Sequence, residues 1–135
     1  MNNIYIASAV ILNTKKELLL VRKKDSKFFQ LPGGKISENE TKEKTVIREI
    51  KEEINLNITE KQLTFIGDHQ TEAVNEKNTI VHGFIFLIAL EKNCTINIAN
   101  EIVEFAWLNK SNYENYKWAH LAEEFVQPIW LKLIS

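Results

Sequence analysis

The beginning of the chain carries aliphatic runs separated by a short polar segment, a pattern typical of paired strands. Tyr5 to Leu12 and Leu18 to Val21 predict the two strands of a hairpin, because Asn13 to Glu17 between them is polar. Phe28 to Leu31 predicts a further short strand. Pro32-Gly33-Gly34 ends it, since proline fixes one backbone dihedral and glycine permits conformations that other residues avoid. A tight loop is therefore expected after the third strand.

The next segment changes to helical spacing. Its apolar residues recur at intervals of three and four: Val46, Ile47, Ile50 and Ile54. They predict an amphipathic helix from about Thr41 to Ile54 with one buried stripe. Either Thr41 or Ser37 can cap its start, and Ser37 has Glu40 three residues on, which is the capping-box spacing.

The second half of the chain predicts three more strands and a closing helix. The strands are Leu63 to His69, Thr79 to Leu90 and Ile102 to Leu108. The second of these is apolar almost without interruption, so we expect it at the centre of a sheet. Apolar residues four apart predict the closing helix, and Pro128 begins or kinks its last part. Those residues are Leu121, Phe125, Ile129 and Leu133.

Length and composition limit the kind of protein. A chain of 135 residues is the size of one domain, so we expect a single domain over residues 1–135. The formal net charge of -1 lacks the basic excess that binding to nucleic-acid polymers requires. The single cysteine, Cys94, excludes an intramolecular disulfide and fits a reducing compartment. Without a signal-peptide pattern or a membrane-spanning apolar run, a cytoplasmic protein with no membrane partner is expected.

Three glutamates of the predicted helix form one acidic face. Glu49, Glu52 and Glu53 fall within an arc of roughly 100° beside the apolar stripe, whose burial would hold them against the core. A solvated surface also explains an acidic face, but here the carboxylates repel one another near the helix end where the dipole favours cations. A divalent cation would remove this repulsion, and carboxylate oxygens suit Mg²⁺ or Mn²⁺. We interpret the face as a metal site.

Two further features support this interpretation. Arg48 precedes Glu52 by four residues, the less favourable order for a helical ion pair, which indicates an orienting role for Arg48. Gly33 and Gly34 lack β-carbons, so the backbone before the helix can approach an anion or a metal closely.

These residues match a known motif. The matching positions are Gly34, Glu40, Arg48-Glu49, Glu52-Glu53 and Leu56, preceded by Leu31-Pro32-Gly33-Gly34-Lys35. The segment resembles the Nudix box of the Nudix hydrolase superfamily, whose MutT-like members it is similar to. The resemblance implies an α/β (α+β) fold, a mixed β-sheet sandwiched between helices, and metal-dependent cleavage of a phosphoanhydride bond.

One position departs from the motif. The box usually has glycine where this chain has Asn55. A left-handed conformation is expected there, which asparagine tolerates at a cost of about 1 kcal/mol. No carboxylate is lost, so the departure affects stability and not the chemistry.

The resemblance also implies roles for individual residues. Metal ligands would be the Gly33 carbonyl, Glu49, Glu52, Glu53 and Glu101, with Mg²⁺ or Mn²⁺ as the ion. Arg48 would orient the glutamates, whereas Glu40 has either a supporting or a capping role. Glu53 is the first candidate for the general base, with Glu52 and Glu101 as alternatives. Glu104 is the rival of Glu101 for the late acidic position.

Substrate contacts are expected on both sides of the Gly-Gly loop. Arg22 and Lys35 resemble basic residues that reach phosphates in the family, and Gly34 would approach them through its backbone. Phe28 and Gln30 are candidates for an aromatic platform with a polar edge, while one of Phe28 and Phe29 belongs to the core. Asp68, His69 and His82 are further candidates for the cleft wall.

A nucleoside triphosphate, oxidised forms included, is the expected substrate, with the monophosphate and pyrophosphate as products. ADP-ribose members of the family tend to carry a proline downstream of the box, and this chain has prolines only at Pro32 and Pro128. The tyrosine of dinucleoside polyphosphate members is replaced by Ala73 and Val74. Nucleotide sugars, ADP-ribose and dinucleoside polyphosphates remain alternative substrates. A non-catalytic nucleotide-binding module and a purely structural cation site remain alternative functions. A homodimer is a further expectation, since many members of the family form dimers.

Overall fold

The computed structural model describes residues 1 to 135 and contains one seven-stranded sheet with helices on both faces. The strands are β1 Asn2–Leu12, β2 Leu18–Lys23, β3 Phe29–Gln30, β4 Gly33–Lys35, β5 Thr64–Glu72, β6 Thr79–Ala89 and β7 Ile102–Leu108. The helices are α1 Lys42–Ile54 and α2 Gln127–Ile134. This mixed sheet between helices confirms the predicted fold class. No helix has the length and apolar character needed to cross a bilayer.

The predicted hairpin exists only at its turn. β1 and β2 are antiparallel, but their register contains a single pair, Leu12 with Leu18. Beyond that pair the strands part, because each has a longer partner elsewhere. β1 runs parallel to β6 from Asn2 to Leu12, whereas β2 is antiparallel to β7. β6 lies between β1 and β5, which confirms its predicted central position.

Alternation along the strands divides the core into two layers. Ala7, Ala9 and Ile11 of β1 pack on the α1 side, where they meet Val46 and Ile50 of the helix. The intervening residues of β1 and β2 pack on the other side against the C-terminal segment. That second layer includes Val10, Leu12, Leu18, Leu20, Trp118, Val126 and Trp130. Burial of the helix stripe therefore fixes which face of α1 remains available for chemistry.

The ends of α1 agree with the sequence. Thr41 is the cap, since its hydroxyl accepts a hydrogen bond from the Lys44 N–H at 3.1 Å. Ser37 lies before the helix and does not cap it. Asn55 has φ 58° and ψ 34°, which is the left-handed conformation that its position in the motif predicts.

The closing helix begins with a wider turn. Over Ala122–Val126 the backbone bonds skip one residue more than in an α-helix, and the Gln127 N–H donates to the Ala122 carbonyl. Pro128 has no N–H and stands at the start of α2. The proline therefore marks the point where the regular helix starts, as the sequence predicts.

Candidate active site

β4 lies directly against the acidic face of α1. The Gly33 N–H donates a hydrogen bond to Oε1 of Glu53 at 3.2 Å. A β-carbon on Gly34 would come within 2.5 Å of the Glu49 carboxyl carbon. Gly33 itself has φ 152°, and a β-carbon there would collide with the Ala7 carbonyl of β1. Both glycines are thus required for β4 to pack against two carboxylates.

Glu53 is a buried acid. Its relative exposure is 3%, and this burial raises the pKa of Glu53 to about 8. The Gly33 N–H and the Lys23 ammonium lower this pKa in part, whereas Glu49 and Glu101 raise it further. Burying an acid without a cation opposes its ionisation, so a positive charge would be bound favourably here.

Arg48 organises the glutamates around it. Its Nε and Nη2 donate to the two carboxylate oxygens of Glu40 at 2.9 and 3.0 Å. Its Nη1 donates to Glu49 and to Glu52, each at 3.0 Å. Nη2 also reaches the Ser37 hydroxyl at 3.3 Å. The planar guanidinium therefore joins three carboxylates in one network, which is the orienting geometry proposed from the sequence.

Glu40 contacts Arg48, whereas a capping role at α1 is excluded because Thr41 is the cap. Its carboxylate pairs with Arg48 and accepts a hydrogen bond from the Thr45 hydroxyl at 2.7 Å. It also accepts a hydrogen bond from the Ser37 N–H at 3.4 Å, in the segment before α1. Arg48 first and Thr45 second lower the pKa of Glu40 to about 2. Glu40 thus remains ionised as the fixed support of Arg48.

The two late glutamates have different surroundings. Glu104 is bound to Arg22, whose Nε donates to it at 2.9 Å. Glu101 precedes β7 and lies 3.9 Å from the Lys23 ammonium, and its charge contributes to the raised pKa of Glu53. Of the two, Glu101 is therefore the one placed near the acidic face.

A cleft with a cavity volume of about 260 Å³ opens on the other side of β4. Of the predicted substrate-binding residues, it contains Gln30, Gly34 and Lys35, together with the predicted metal ligand Gly33. Gly33 and Gly34 belong to both the cleft wall and the contact with α1. The β4 backbone therefore connects the cleft to the carboxylates.

Other predicted residues lie away from this cleft. Arg22 is held between Glu104 and the Ser26 carbonyl. The ring of Phe28 is covered by the Lys117 ammonium at 4.9 Å, while Phe29 is buried in the core.

The predicted wall residues are also elsewhere. His69 bonds to Glu124, and His82 bonds to Asn3 and stacks on Tyr5. Asp68 does not line the cleft either.

The sequence-based predictions missed most residues of the cleft wall, among them the polar residues Lys23, Asn75 and His120. Lys23 follows Arg22 at the end of β2, so a basic strand end was the available signal. Asn75 donates a hydrogen bond to the Ser26 hydroxyl at 3.1 Å, and His120 bonds to the Glu72 carbonyl at 3.0 Å. Neither contact has a local sequence signal, because each joins segments distant in the chain.

The donor set fits a hard divalent cation. It consists of carboxylates and a backbone carbonyl, and the buried Glu53 lacks a full counter-charge. Arg48 holds Glu49 and Glu52, and no three acidic, histidine or cysteine side chains close around one point. Arg48 bonds to only one carboxylate oxygen of each, Oε2 of Glu49 and Oε1 of Glu52, so the other oxygen of each can turn towards an ion beside Glu53.

A mixed sheet between helices, with a glutamate-bearing helix packed on a Gly-Gly strand, defines a class of protein. The NUDIX domain family matches residues 3–128, and the chain belongs to this family. The predicted superfamily is confirmed.

Curated relatives match over part of their length. The dihydroneopterin triphosphate diphosphatase of Escherichia coli (strain K12) is 37% identical over 59 residues, which are 44% of this chain and 39% of that protein. The 8-oxo-dGTP diphosphatase of Proteus vulgaris is 31% identical over 61 residues, or 42% and 54% of the two chains. The chain thus spans about two fifths to one half of these relatives.

Solved structures share the fold. A MutT protein from Methanosarcina mazei Go1 superposes with a TM-score of 0.71 at 23% identity, covering 86% of this chain and 83% of the other. The dihydroneopterin triphosphate pyrophosphohydrolase of Escherichia coli gives a TM-score of 0.69 at 23% identity, covering 87% and 89%.

Proposed function

We propose that this protein hydrolyses a phosphoanhydride bond of a nucleoside triphosphate, oxidised forms included, and releases the monophosphate and pyrophosphate. One observation carries the proposal: Gly33 and Gly34 line the cleft on one side and contact Glu53 and Glu49 on the other. A phosphate chain in the cleft would therefore reach the carboxylates across two residues that lack side chains.

Magnesium or manganese is the proposed cofactor. Glu49, Glu52, Glu53, Glu101 and the Gly33 carbonyl are the residues that would hold it. When bound, such an ion supplies Lewis-acid stabilisation of charge on the phosphate oxygens.

The chain's own residues orient the carboxylates and accept a proton. Arg48, fixed by Glu40, positions Glu49 and Glu52. Glu53 is the proposed general base, accepting a proton from the attacking water, with Glu52 and Glu101 as alternatives. Its burial excludes bulk solvent from the carboxylate.

The cleft residues would bind the substrate. Lys23 and Lys35 place positive charge beside Gly33 and Gly34, where the phosphates would lie. Gln30 supplies a polar group on the same wall. Phe28 and Arg22, both predicted from the sequence as substrate contacts, would act from outside the cleft. The names of the two curated relatives, both triphosphate diphosphatases, favour a triphosphate over the other substrates.

A substrate panel tests the proposal. The protein is incubated with Mg²⁺ and nucleoside triphosphates, nucleotide sugars, ADP-ribose or dinucleoside polyphosphates, and phosphate is assayed with and without pyrophosphatase. We expect signal from triphosphates that requires pyrophosphatase. Turnover of another class alone would replace the substrate assignment, and binding without any turnover would identify a non-catalytic module.

Domain organisation, cellular location, partners and oligomeric state are part of the same proposal. Residues 1–135 form one Nudix domain that acts in the cytoplasm on a small nucleotide and not on a nucleic-acid polymer. A homodimer remains a prediction, and light scattering at two protein concentrations tests it.

A further inference from the structure

The cleft extends well beyond Gly33 and Gly34. Gly33 pairs with Ser8 of β1, and from Ser8 the floor continues along the strand to Ile4, about 13 Å at the rise of a strand. Ile4 lies beside Val81 of β6, which lies beside Thr71 of β5. A sugar and a base can therefore fit between Gly33 and the wall at the end of β5.

That wall, which we call the far end, is formed by Glu72, His120 and Leu121. Apolar side chains of Ile4 and Val81 lie on the floor beside it, which suits the faces of a heteroaromatic ring. His120 supplies the polar ring on this wall.

The Glu72 carbonyl determines the tautomer of His120. It lies 3.0 Å from Nδ1, and a carbonyl oxygen can only accept, so Nδ1 carries a proton. In the neutral ring Nε2 then presents a lone pair. Nε2 of His120 has no hydrogen-bond partner within the protein. In the other two histidines Nε2 is already bonded, to Glu124 in His69 and to Asn3 in His82. The far end thus displays an oriented acceptor without a partner.

We propose that Nε2 of His120 accepts a hydrogen bond from an N–H group on the base of the bound nucleotide, which makes His120 a specificity-determining residue. The inference rests on the proposed nucleotide substrate. It assigns the selectivity to bases that present an amino group or a protonated ring nitrogen to the far end.

Binding of nucleoside monophosphates tests the inference without turnover. Three pairs differ at one N–H-bearing position: GMP and IMP at the 2-amino group, AMP and purine riboside monophosphate at the 6-amino group, and 8-oxo-GMP and GMP at ring position 7, where the oxidised base also carries an oxygen at C8. Titration calorimetry measures their Kd values. We expect the N–H-bearing member of at least one pair to bind about three- to tenfold tighter. His120→Phe should reduce that ratio to near unity, and His120→Asn, which keeps an acceptor, should retain part of it.

Asn75→Ala is the matched control. It breaks the contact of the same wall with Ser26 and removes no atom of His120. It should change all Kd values by a similar factor and leave the ratios unaltered. Equal ratios in wild type and His120→Phe, or the absence of binding by every pair, would overturn the inference. Altered ratios in a protein that hydrolyses nothing would instead contradict hydrolysis and retain the base contact.

Discussion

The carboxylate end of the site, formed by Gly33, Gly34, Glu49 and Glu53, takes its residues from one helix and the short strand before it. The far end takes Glu72 from β5 and His120 from the segment before α2. In the first case the residues are close in sequence, and helical geometry with two glycines brings them together. At the far end, Glu72 and His120 come together only when the sheet is complete. The proposed chemistry and the proposed selectivity thus depend on different levels of structure.

The largest effect is expected from Glu53→Gln. The substitution keeps the size of the side chain and an acceptor for the Gly33 N–H, but it removes the charge and the proton acceptor. We expect kcat to fall by about 10²–10⁴-fold while the far end still binds nucleotide, with little change in the Kd of a monophosphate. Steady-state kinetics and calorimetry measure the two quantities. Glu43→Gln, in the first turn of α1, is the control and should leave kcat unchanged; full activity of Glu53→Gln would contradict the mechanism.

In the absence of metal, Glu53→Gln should make the folded protein more stable, although it lowers kcat. Burial raises the pKa of Glu53 to about 8, above its ordinary value of 4.5, so the folded protein retains a proton that the unfolded chain releases. Wild-type stability therefore falls as pH rises from about 4.5 to 8, and Glu53→Gln removes this loss. We expect the variant to gain up to about 4 kcal/mol at pH 8 in EDTA, and almost nothing at pH 4.5.

Urea unfolding at several pH values measures this gain. Addition of Mg²⁺ should stabilise the wild type and reverse the order, because ligands that bind only the folded state raise its stability. A variant less stable than the wild type at pH 8 in EDTA would show that Glu53 is not a destabilising group. Glu43→Gln should follow the wild-type curve.

Substitutions of Arg48 test how strongly activity depends on the orientation of Glu49 and Glu52. Arg48→Ala releases Glu49 and Glu52 from their common partner, and we expect activity to fall by about 10–100-fold. The Mg²⁺ concentration for half-maximal activity should rise, which distinguishes an orienting role from simple loss of fold. Arg48→Lys should recover little, since a lysine cannot reproduce the planar fork. The control is Lys51→Ala on the same helix; if Arg48→Ala retained wild-type Mg²⁺ dependence, the orienting role would be wrong.

The contrast between the two ends explains what the sequence could predict. Periodicity predicted α1, with Thr41 as one of two possible caps, and the motif predicted the left-handed Asn55, because these features depend on neighbouring residues. Periodicity failed for the pairing of β1 with β6, since parallel strands distant in sequence leave no spacing signal. The substrate contacts expected at Phe28 and Arg22 stay predictions, and in the structure Lys117 covers the ring of Phe28 while Glu104 pairs with Arg22.

The smallest effect is expected at Asn55, the position where the sequence departs from the motif. Its left-handed backbone costs about 1 kcal/mol relative to glycine, but its side chain donates a hydrogen bond to the Asn97 carbonyl at 2.9 Å. Such a bond contributes about 1 kcal/mol and offsets that cost. Asn55→Gly should thus change the unfolding free energy by less than about 0.5 kcal/mol, whereas Asn55→Ala, which loses the bond and keeps the strain, should cost about 1–2 kcal/mol. Urea unfolding measures both. A clear gain from glycine would mean that the contact with Asn97 contributes nothing to stability.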